Sequence, residues 1–276
     1  MTVAKLLAEG EEILRKEGIT DHRIDAVLLL EHVLKKDRTY IKAHPGADVT
    51  EDEEKDYKVF IAGRAEHIPL QHITGTVWFM GLPFKVTPDV LIPRFDTEFV
   101  TEEVLKEVSD GDRVLDLCTG SGCILLSVMS YKNDIEGVGT DISKEALKVA
   151  EENAKSLKKD PVLLCSDMFE KVEGTFDCIV SNPPYIKSAD INGLEIEVRD
   201  HEPRTALDGG EDGLDFYRII ADLAADHLKK EGRIILEIGY DEGEDVRRIF
   251  EEKGYRDIRI IRDYAGNERV MKCLNR

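Results

Sequence analysis

Long apolar runs are missing from this 276-residue chain: its aliphatic stretches stop after a few residues, as at Val27 to Leu30, so no segment suits a bilayer span. The opening residues Met1-Thr2-Val3-Ala4-Lys5-Leu6 soon meet Glu9, Glu11 and Glu12, a pattern that fits neither a secretory leader nor an Arg-rich transit peptide. Paired cysteines are missing too. The five present, at 118, 123, 165, 178 and 273, are odd in number, form no C-x-x-C pair and lie mostly within apolar strand-like runs. Reduced core thiols and a cytoplasmic location are therefore expected. Histidines gather at 22, 32, 44, 67 and 72 without zinc-ligand spacing, and no metal is expected. Positive charge is scarce: residues 1–75 carry 11 Lys+Arg against 15 Asp+Glu, so −15 of the net −19 falls on the remainder. A protein that grips nucleic acid needs cationic surface for the phosphates, so a direct nucleic-acid substrate is disfavoured.

What is present reads as two domains. Val3, Leu6, Leu7, Ile13 and Leu14 recur near helical spacing, and Gly18 ends that run. Asp21 is placed to cap a second helix carrying Ile24, Val27, Leu28 and Val33. Thr50 with Glu53 forms a capping-box signature for a third helix, through Tyr57, Phe60 and Ile61. Residues 1–70 are thus expected as a small helical bundle. After His67-Ile68-Pro69-Leu70 the helical period stops, and residues 71–95 read as a β-hairpin connector with Gly81 near its turn. Residues 96–276 begin with a helix from about Thr97 to Val108 and then alternate. Strands are expected at Val114 to Cys118, Val138 to Ile142, Val162 to Cys165, Cys178 to Val180, Ile234 to Ile238, Ile258 to Arg262 and Arg269 to Cys273. Helices fill the first intervals, with further helices at Leu214 to Leu228 and around Val246 to Lys253, which predicts a doubly wound α/β sheet.

In such a sheet the ligand edge is at the strands' C-terminal ends. The first strand runs into Asp116-Leu117-Cys118-Thr119-Gly120-Ser121-Gly122 before a helix, letting backbone approach a ligand at the helix N-terminus. A dinucleotide fingerprint would need a glycine at 125, where Leu125 stands, so an NAD reading weakens. Asp141 closes the second strand about 20 residues on, where a carboxylate holds ribose hydroxyls. Asp167 and Met168 follow the third strand, suited to meet an adenine ring. After the fourth come Ser181-Asn182-Pro183-Pro184-Tyr185. Asn182 offers an amide oxygen and Pro183 a carbonyl, and neither proline has an N–H, so this turn suits a substrate –NH2 group. Tyr185 adds a flat face for a planar amide or base.

These residues resemble class I S-adenosylmethionine-dependent methyltransferases of the amino-group-modifying type, and most closely the PrmC (HemK) protein-glutamine methyltransferases. Leu91-Ile92-Pro93-Arg94, Thr97-Glu98, Val114 to Gly122, Ser181 to Ile186, Glu202 to Gly210 and Asp212-Gly213-Leu214 follow that family's pattern over nearly the whole chain. The resemblance implies a Rossmann-like fold with a seven-stranded sheet, a helical-bundle domain for substrate recognition, and S-adenosylmethionine as cofactor, leaving as S-adenosylhomocysteine. It assigns cofactor binding to Cys118, Thr119, Gly120, Ser121, Gly122, Asp141, Ile142, Asp167, Met168 and Asn182. Substrate binding falls to Asn182, Pro183, Pro184 and Tyr185, with Asn182, Pro183 and Tyr185 catalytic. The implied substrate is the glutamine of the Gly-Gly-Gln motif in peptide chain release factors. Two departures from the pattern stand out: Cys118 replaces the first glycine of the loop, and Phe95-Asp96 stands where Pro-Glu is usual, which leaves the roles of residues 94–98 open.

An amide nitrogen is a poor nucleophile because its lone pair is delocalised. Accepting both of its N–H groups, on Asn182 Oδ1 and the Pro183 carbonyl, orients it and favours loss of conjugation. The loop from Ile186 to Gly213, with Glu195, Glu197 and Arg199, is long enough to cover a substrate. The alternative is an RNA or DNA exocyclic-amine methyltransferase with Tyr185 stacked on a flipped base. A monomer is expected, since no extended apolar helix face is left over.

Overall fold

The computed structural model describes residues 1–276 and divides by its contacts into two units, one of residues 1–76 with 195–201, the other of 77–194 with 202–276. In the first unit the apolar spacing becomes helices α1 (Val3–Lys16), α2 (His22–Leu34), α3 (Arg38–Ala43), α4 (Glu51–Ala65) and α5 (Leu70–Thr74). Leu6, Leu14, Leu29, Leu30, Tyr57 and Ile61 form its core. Thr50 and Glu53 make the expected capping box on α4. Asp21 stands at the start of α2, but its backbone (φ −92°, ψ 26°) lies outside the extended region a capping residue uses, and its side chain caps nothing. The core also holds charge. Arg64 Nε donates to Asp25 Oδ2 at 2.7 Å and its Nη2 to Glu197 Oε1 at 3.0 Å, with His67 Nδ1 3.2 Å from the same oxygen. Burial raises the Asp25 pKa against the lowering pull of Arg64.

Next in the chain are β1 (Thr76–Phe79) and β2 (Leu82–Lys85), a two-stranded sheet turned at Met80-Gly81. Both turn residues have positive φ, 50° and 70°, the hand that suits strand twist. Glu98 accepts from the Met80 N–H and Tyr131 donates to its carbonyl, so a methionine tolerates the left-handed region there.

The alternating stretch folds as α6 (Phe95–Glu107), β3 (Arg113–Leu117), α7 (Cys123–Tyr131), β4 (Glu136–Asp141), α8 (Lys144–Leu157), β5 (Val162–Cys165) and β6 (Phe176–Ser181). After α9 (Ile196–His201) come α10 (Asp215–Leu223), β7 (Leu228–Glu237), α11 (Gly243–Glu252), β8 (Arg256–Arg262) and β9 (Glu268–Leu274). The seven strands order as β5-β4-β3-β6-β7-β9-β8. The first five run parallel, and β9 is antiparallel to both neighbours. Side chains alternate between two apolar layers: Leu115, Leu117, Ile179, Ile234 and Leu236 face one, Val114, Cys178, Val180 and Ile235 the other. Burial on both faces explains why these strands read as continuous apolar runs.

Three expectations change. The helix expected over 214–228 ends at Leu223; a 3₁₀ turn, Ala224–His227, follows, and Leu228 opens a ten-residue strand. The loop from 186 to 213 contains α9 and two 3₁₀ turns, and Glu197 in it is bound by Arg64 and His67 within the first unit. The short helices α3 and α5 add to the three expected in the bundle. No helix of the structure is long and apolar enough to cross a membrane.

Candidate active site

Registers align the strand ends. Leu117 pairs with Thr140 on one side and Ser181 on the other, and Asp141 pairs with Cys165. Strand order reverses at β3, so residues 118–122, 141–143, 166–168 and 182–185 collect at the edge where a doubly wound sheet opens a crevice. The crevice is a cavity of about 610 Å³, within the ordinary range of small-molecule sites. Cys118, Gly120, Asp141, Ile142, Asp167, Met168, Asn182 and Pro184 line it. Thr119, Ser121, Gly122, Pro183 and Tyr185 do not.

The unlined residues shape the turns instead. Thr119 donates to Asp116 Oδ2 at 2.6 Å and Gly122 caps α7. The Ser121 carbonyl accepts from buried Asn153 Nδ2 at 2.9 Å, and Asn153 also clasps the Lys85 backbone, accepting from its N–H and donating to its carbonyl. Cys118 has φ 57°, which explains why a glycine suits this position: a residue with Cβ there carries roughly 1–2 kcal/mol of strain. Its partly buried thiol lies 3.8 Å from Met168 Sδ, and desolvation raises its pKa far above the ordinary thiol range.

Asp141 is the anchor of the edge. Its Oδ2 accepts from Gly120 N at 2.9 Å and its Oδ1 from Ser143 N at 2.8 Å, while Ser143, not Asp141, caps α8. Each oxygen keeps a lone pair for a ligand hydroxyl. Burial raises its pKa, offset in part by these backbone donors. Ile142, 63 % exposed, and Met168 supply apolar wall, and the exposed Asp167 carboxylate supplies an acceptor. Together these fit a nucleoside: glycine-loop backbone, a carboxylate for a diol, an apolar slot for a flat ring and an acid beside it.

Asn182 directs its Nδ2 to Thr97 Oγ1 at 3.1 Å, and Thr97 in turn donates to Glu237 Oε2 at 2.7 Å. Tyr185 packs its ring against the core layer and donates its hydroxyl to Glu237 Oε1 at 3.2 Å. Glu237 and Asn153 belong to no motif in the sequence. A signal existed for the first: a carboxylate inside the apolar run Ile234 to Ile238 needs partners if buried. Asn153, within an ordinary amphipathic helix, offered none.

The glycines at 209 and 213 have a steric reason. A Cβ on Gly209 would lie 2.7 Å from Tyr185 Cα, and one on Gly213, at φ 84°, 2.5 Å from the Tyr185 carbonyl oxygen. Both press on the backbone that follows the Pro-Pro turn, and neither can be relieved by a side-chain rotation. Gly209→Ala is expected to cost about 1–3 kcal/mol, seen as a Tm lowered by several degrees. It is also expected to lower kcat at least about tenfold by displacing the turn. A melt with steady-state kinetics checks both; unchanged kcat would show that the turn tolerates the shift.

Known proteins match this architecture. The PrmC N-terminal domain family matches residues 5–75, and the methyltransferase small domain matches 95–197. A release factor glutamine methyltransferase of Clostridium acetobutylicum is 40% identical over 278 residues, covering 98% of each chain. One of Geobacter sulfurreducens is 38% identical, covering 98% of this chain and 95% of that one. Among solved structures, a 16S rRNA N2 methyltransferase of Thermus thermophilus in complex with AdoMet and guanosine superposes with a TM-score of 0.53. At 18% identity, over 73% of this chain and 50% of that one, it shares the fold alone.

Proposed function

This chain belongs to the release factor glutamine methyltransferases, and we propose on that basis that Asn182 and Pro183 hold the substrate amide while the cavity beside them holds the methyl donor. The enzyme transfers a methyl group from S-adenosylmethionine to a glutamine side chain of a release factor. The glutamine of the Gly-Gly-Gln loop is the proposed acceptor. One observation carries the residue assignment: with Nδ2 engaged by Thr97, the Asn182 amide has its Oδ1 left to accept from a ligand at the cavity wall.

A bound S-adenosylmethionine supplies an electrophilic methyl on a sulfonium. Asn182 Oδ1 and the Pro183 carbonyl accept the two amide N–H groups and aim the nitrogen along the line of displacement. As conjugation is lost, charge grows on the N–H groups and these acceptors bind them more strongly. No strong base is required, because the nitrogen becomes acidic once alkylated. Tyr185, fixed through Glu237, supports the amide plane. Asp141 takes the ribose hydroxyls, Ile142 and Met168 enclose the adenine, and Asp167 accepts from its amino group. Thr119, Ser121 and Gly122 act through the loop's shape, and Cys118, Gly120 and Pro184 form wall.

Residues 1–70, with a hydrophobic core of their own, are proposed as the recognition domain, 71–95 as connector and 96–276 as the transfer domain. A monomeric, cytoplasmic enzyme completes the proposal. Incubating it with labelled S-adenosylmethionine and release factor, a Gln→Ala release factor, or total RNA tests the reading. Label is expected on the unaltered factor alone; label on RNA or on the Gln→Ala factor would overturn it.

A further inference from the structure

We propose that Glu237 is a positioning residue that fixes which end of the Asn182 amide meets the substrate, acting through the hydroxyl of Thr97. This deepens the assignment of Asn182 as the amide acceptor and rests on it. The Asn182 side chain alone does not choose: its C=O and NH2 ends are nearly the same shape, and only its partners decide the flip. Thr97 has one O–H and lone pairs. Glu237 is buried at the C-terminal end of β7, and as a carboxylate it can only accept, so it takes the Thr97 proton at 2.7 Å. Thr97 Oγ1 then has nothing but lone pairs for Asn182, which must present Nδ2, at 3.1 Å, and turn Oδ1 away from Thr97. The second carboxylate oxygen takes the Tyr185 proton, so one group sets both residues that flank Pro183 and Pro184.

The surroundings keep Glu237 available for this work. Arg269 on β9, whose charge lowers the Glu237 pKa, is engaged by Asp96 Oδ2 at 3.0 Å, Asp263 Oδ2 at 3.4 Å and the Ile238 carbonyl, and makes no hydrogen bond to Glu237. Asp96, half of the Phe95-Asp96 departure from the family pattern, thus serves to hold that cation. Tyr217 on α10 shares its one hydroxyl proton between the Glu237 backbone carbonyl, at 3.0 Å, and Glu242 Oε2, at 3.3 Å, leaving the Glu237 carboxylate to its two hydroxyl partners. Burial pushes the Glu237 pKa up to about 7, against the lowering pull of Thr97, Arg269 and Tyr185, and Asp96 adds to the rise. Protonated, Glu237 can donate to Thr97 Oγ1, whose own proton is then free to turn toward Asn182 Oδ1. The amide flips and offers the substrate –NH2 a donor in place of an acceptor.

The test is Thr97→Val, which keeps the shape and removes the hydroxyl. A fall in kcat of roughly 10- to 100-fold is expected, with cofactor affinity and release-factor KM within about threefold, because only the orientation of one acceptor is lost. Thr97→Ser restores the O–H and most of the rate. The wild-type kcat is expected to fall on acidification through about pH 7, the value of Glu237. Glu237→Gln loses that limb and runs about tenfold slower at high pH, since either end of the new amide can face Thr97. Asp116 and Glu242 are also pushed up to about 7, but they are present in both profiles, so the difference between them isolates Glu237. Wild-type kcat in Thr97→Val alongside an inactive Asn182→Ala overturns this inference alone. An acidic limb unchanged in Glu237→Gln overturns it as well, whereas a fully active Asn182→Ala removes the acceptor reading beneath it.

Discussion

Asn182→Ala is expected to lower kcat for methyl transfer by about 10²–10³ while leaving the Kd for S-adenosylmethionine within about threefold. The magnitude follows from removing one preorganised hydrogen-bonding partner of the reacting group, about 2.7–4 kcal/mol of transition-state stabilisation. The separation of the two constants follows from the site. Asn182 shares the cavity wall with Asp141, Ile142 and Met168, which lie on the β4 and β5 side and are the proposed nucleoside contacts. Its own amide is engaged with Thr97, not with the glycine loop. Equilibrium binding of cofactor with single-turnover transfer to release factor measures the two quantities; near-normal turnover would remove Asn182 from the mechanism. Asn182→Asp is expected to be nearly as damaging. It sets two carboxylates, the introduced one and that of Glu237, against the single proton of Thr97.

Asp141→Ala is expected to show the opposite split: cofactor Kd raised by about 10²-fold or more, and kcat at saturating cofactor recovered to within about tenfold. Hydrogen bonds to a charged acceptor are worth about 1.5–3 kcal/mol each. Asp141 makes two, to Gly120 N and Ser143 N, so alanine loosens the glycine turn and orphans two donors beyond losing its own ligand contact. Acid repeats part of this effect. Because burial raises the Asp141 pKa above the ordinary aspartate value, protonation begins at a higher pH than in a free carboxyl. Cofactor affinity is therefore expected to fall as pH drops through that raised pKa. The sign for folding is reversed: with its pKa raised on folding, the charged form burdens the native state, and acidification from the folded toward the unfolded pKa relieves that burden. Calorimetric Kd values across pH, with melts of the ligand-free enzyme, separate the two; an affinity insensitive to Asp141→Ala would sink the ribose assignment.

Much of this site was legible because parallel strands announce their own ends. Val162 to Cys165 reads from sequence with its observed bounds, and Asp141 and Asn182 fall where their strands stop. The pairing of Thr50 with Glu53 was readable for a similar reason, since a capping box is local. What escaped was made by distance or brevity. Helices α3 and α5 are six and five residues long, too short to display a helical period. The early residues of β7, Lys229-Lys230-Glu231-Gly232, look like a loop after a helix, and the irregular pairing with β6 between Phe176 and Cys178 shows how the sheet absorbs them. Thr97 and Glu237 are separated by 140 residues, so their hydrogen bond has no signature in either segment.

The excursion of residues 195–201 into the first unit bears on how the polypeptide is made. Domains emerging from the ribosome usually fold as they appear, N-terminal first. Here the helical unit has its hydrophobic core early, from residues 3–61, but the carboxylate that completes the Arg64 cluster belongs to Glu197. Synthesis must pass most of the sheet's parallel strands before that partner exists. The first domain to be translated is therefore among the last to be finished, and a nascent chain stalled before residue 195 carries a bundle with Arg64 still short of one partner.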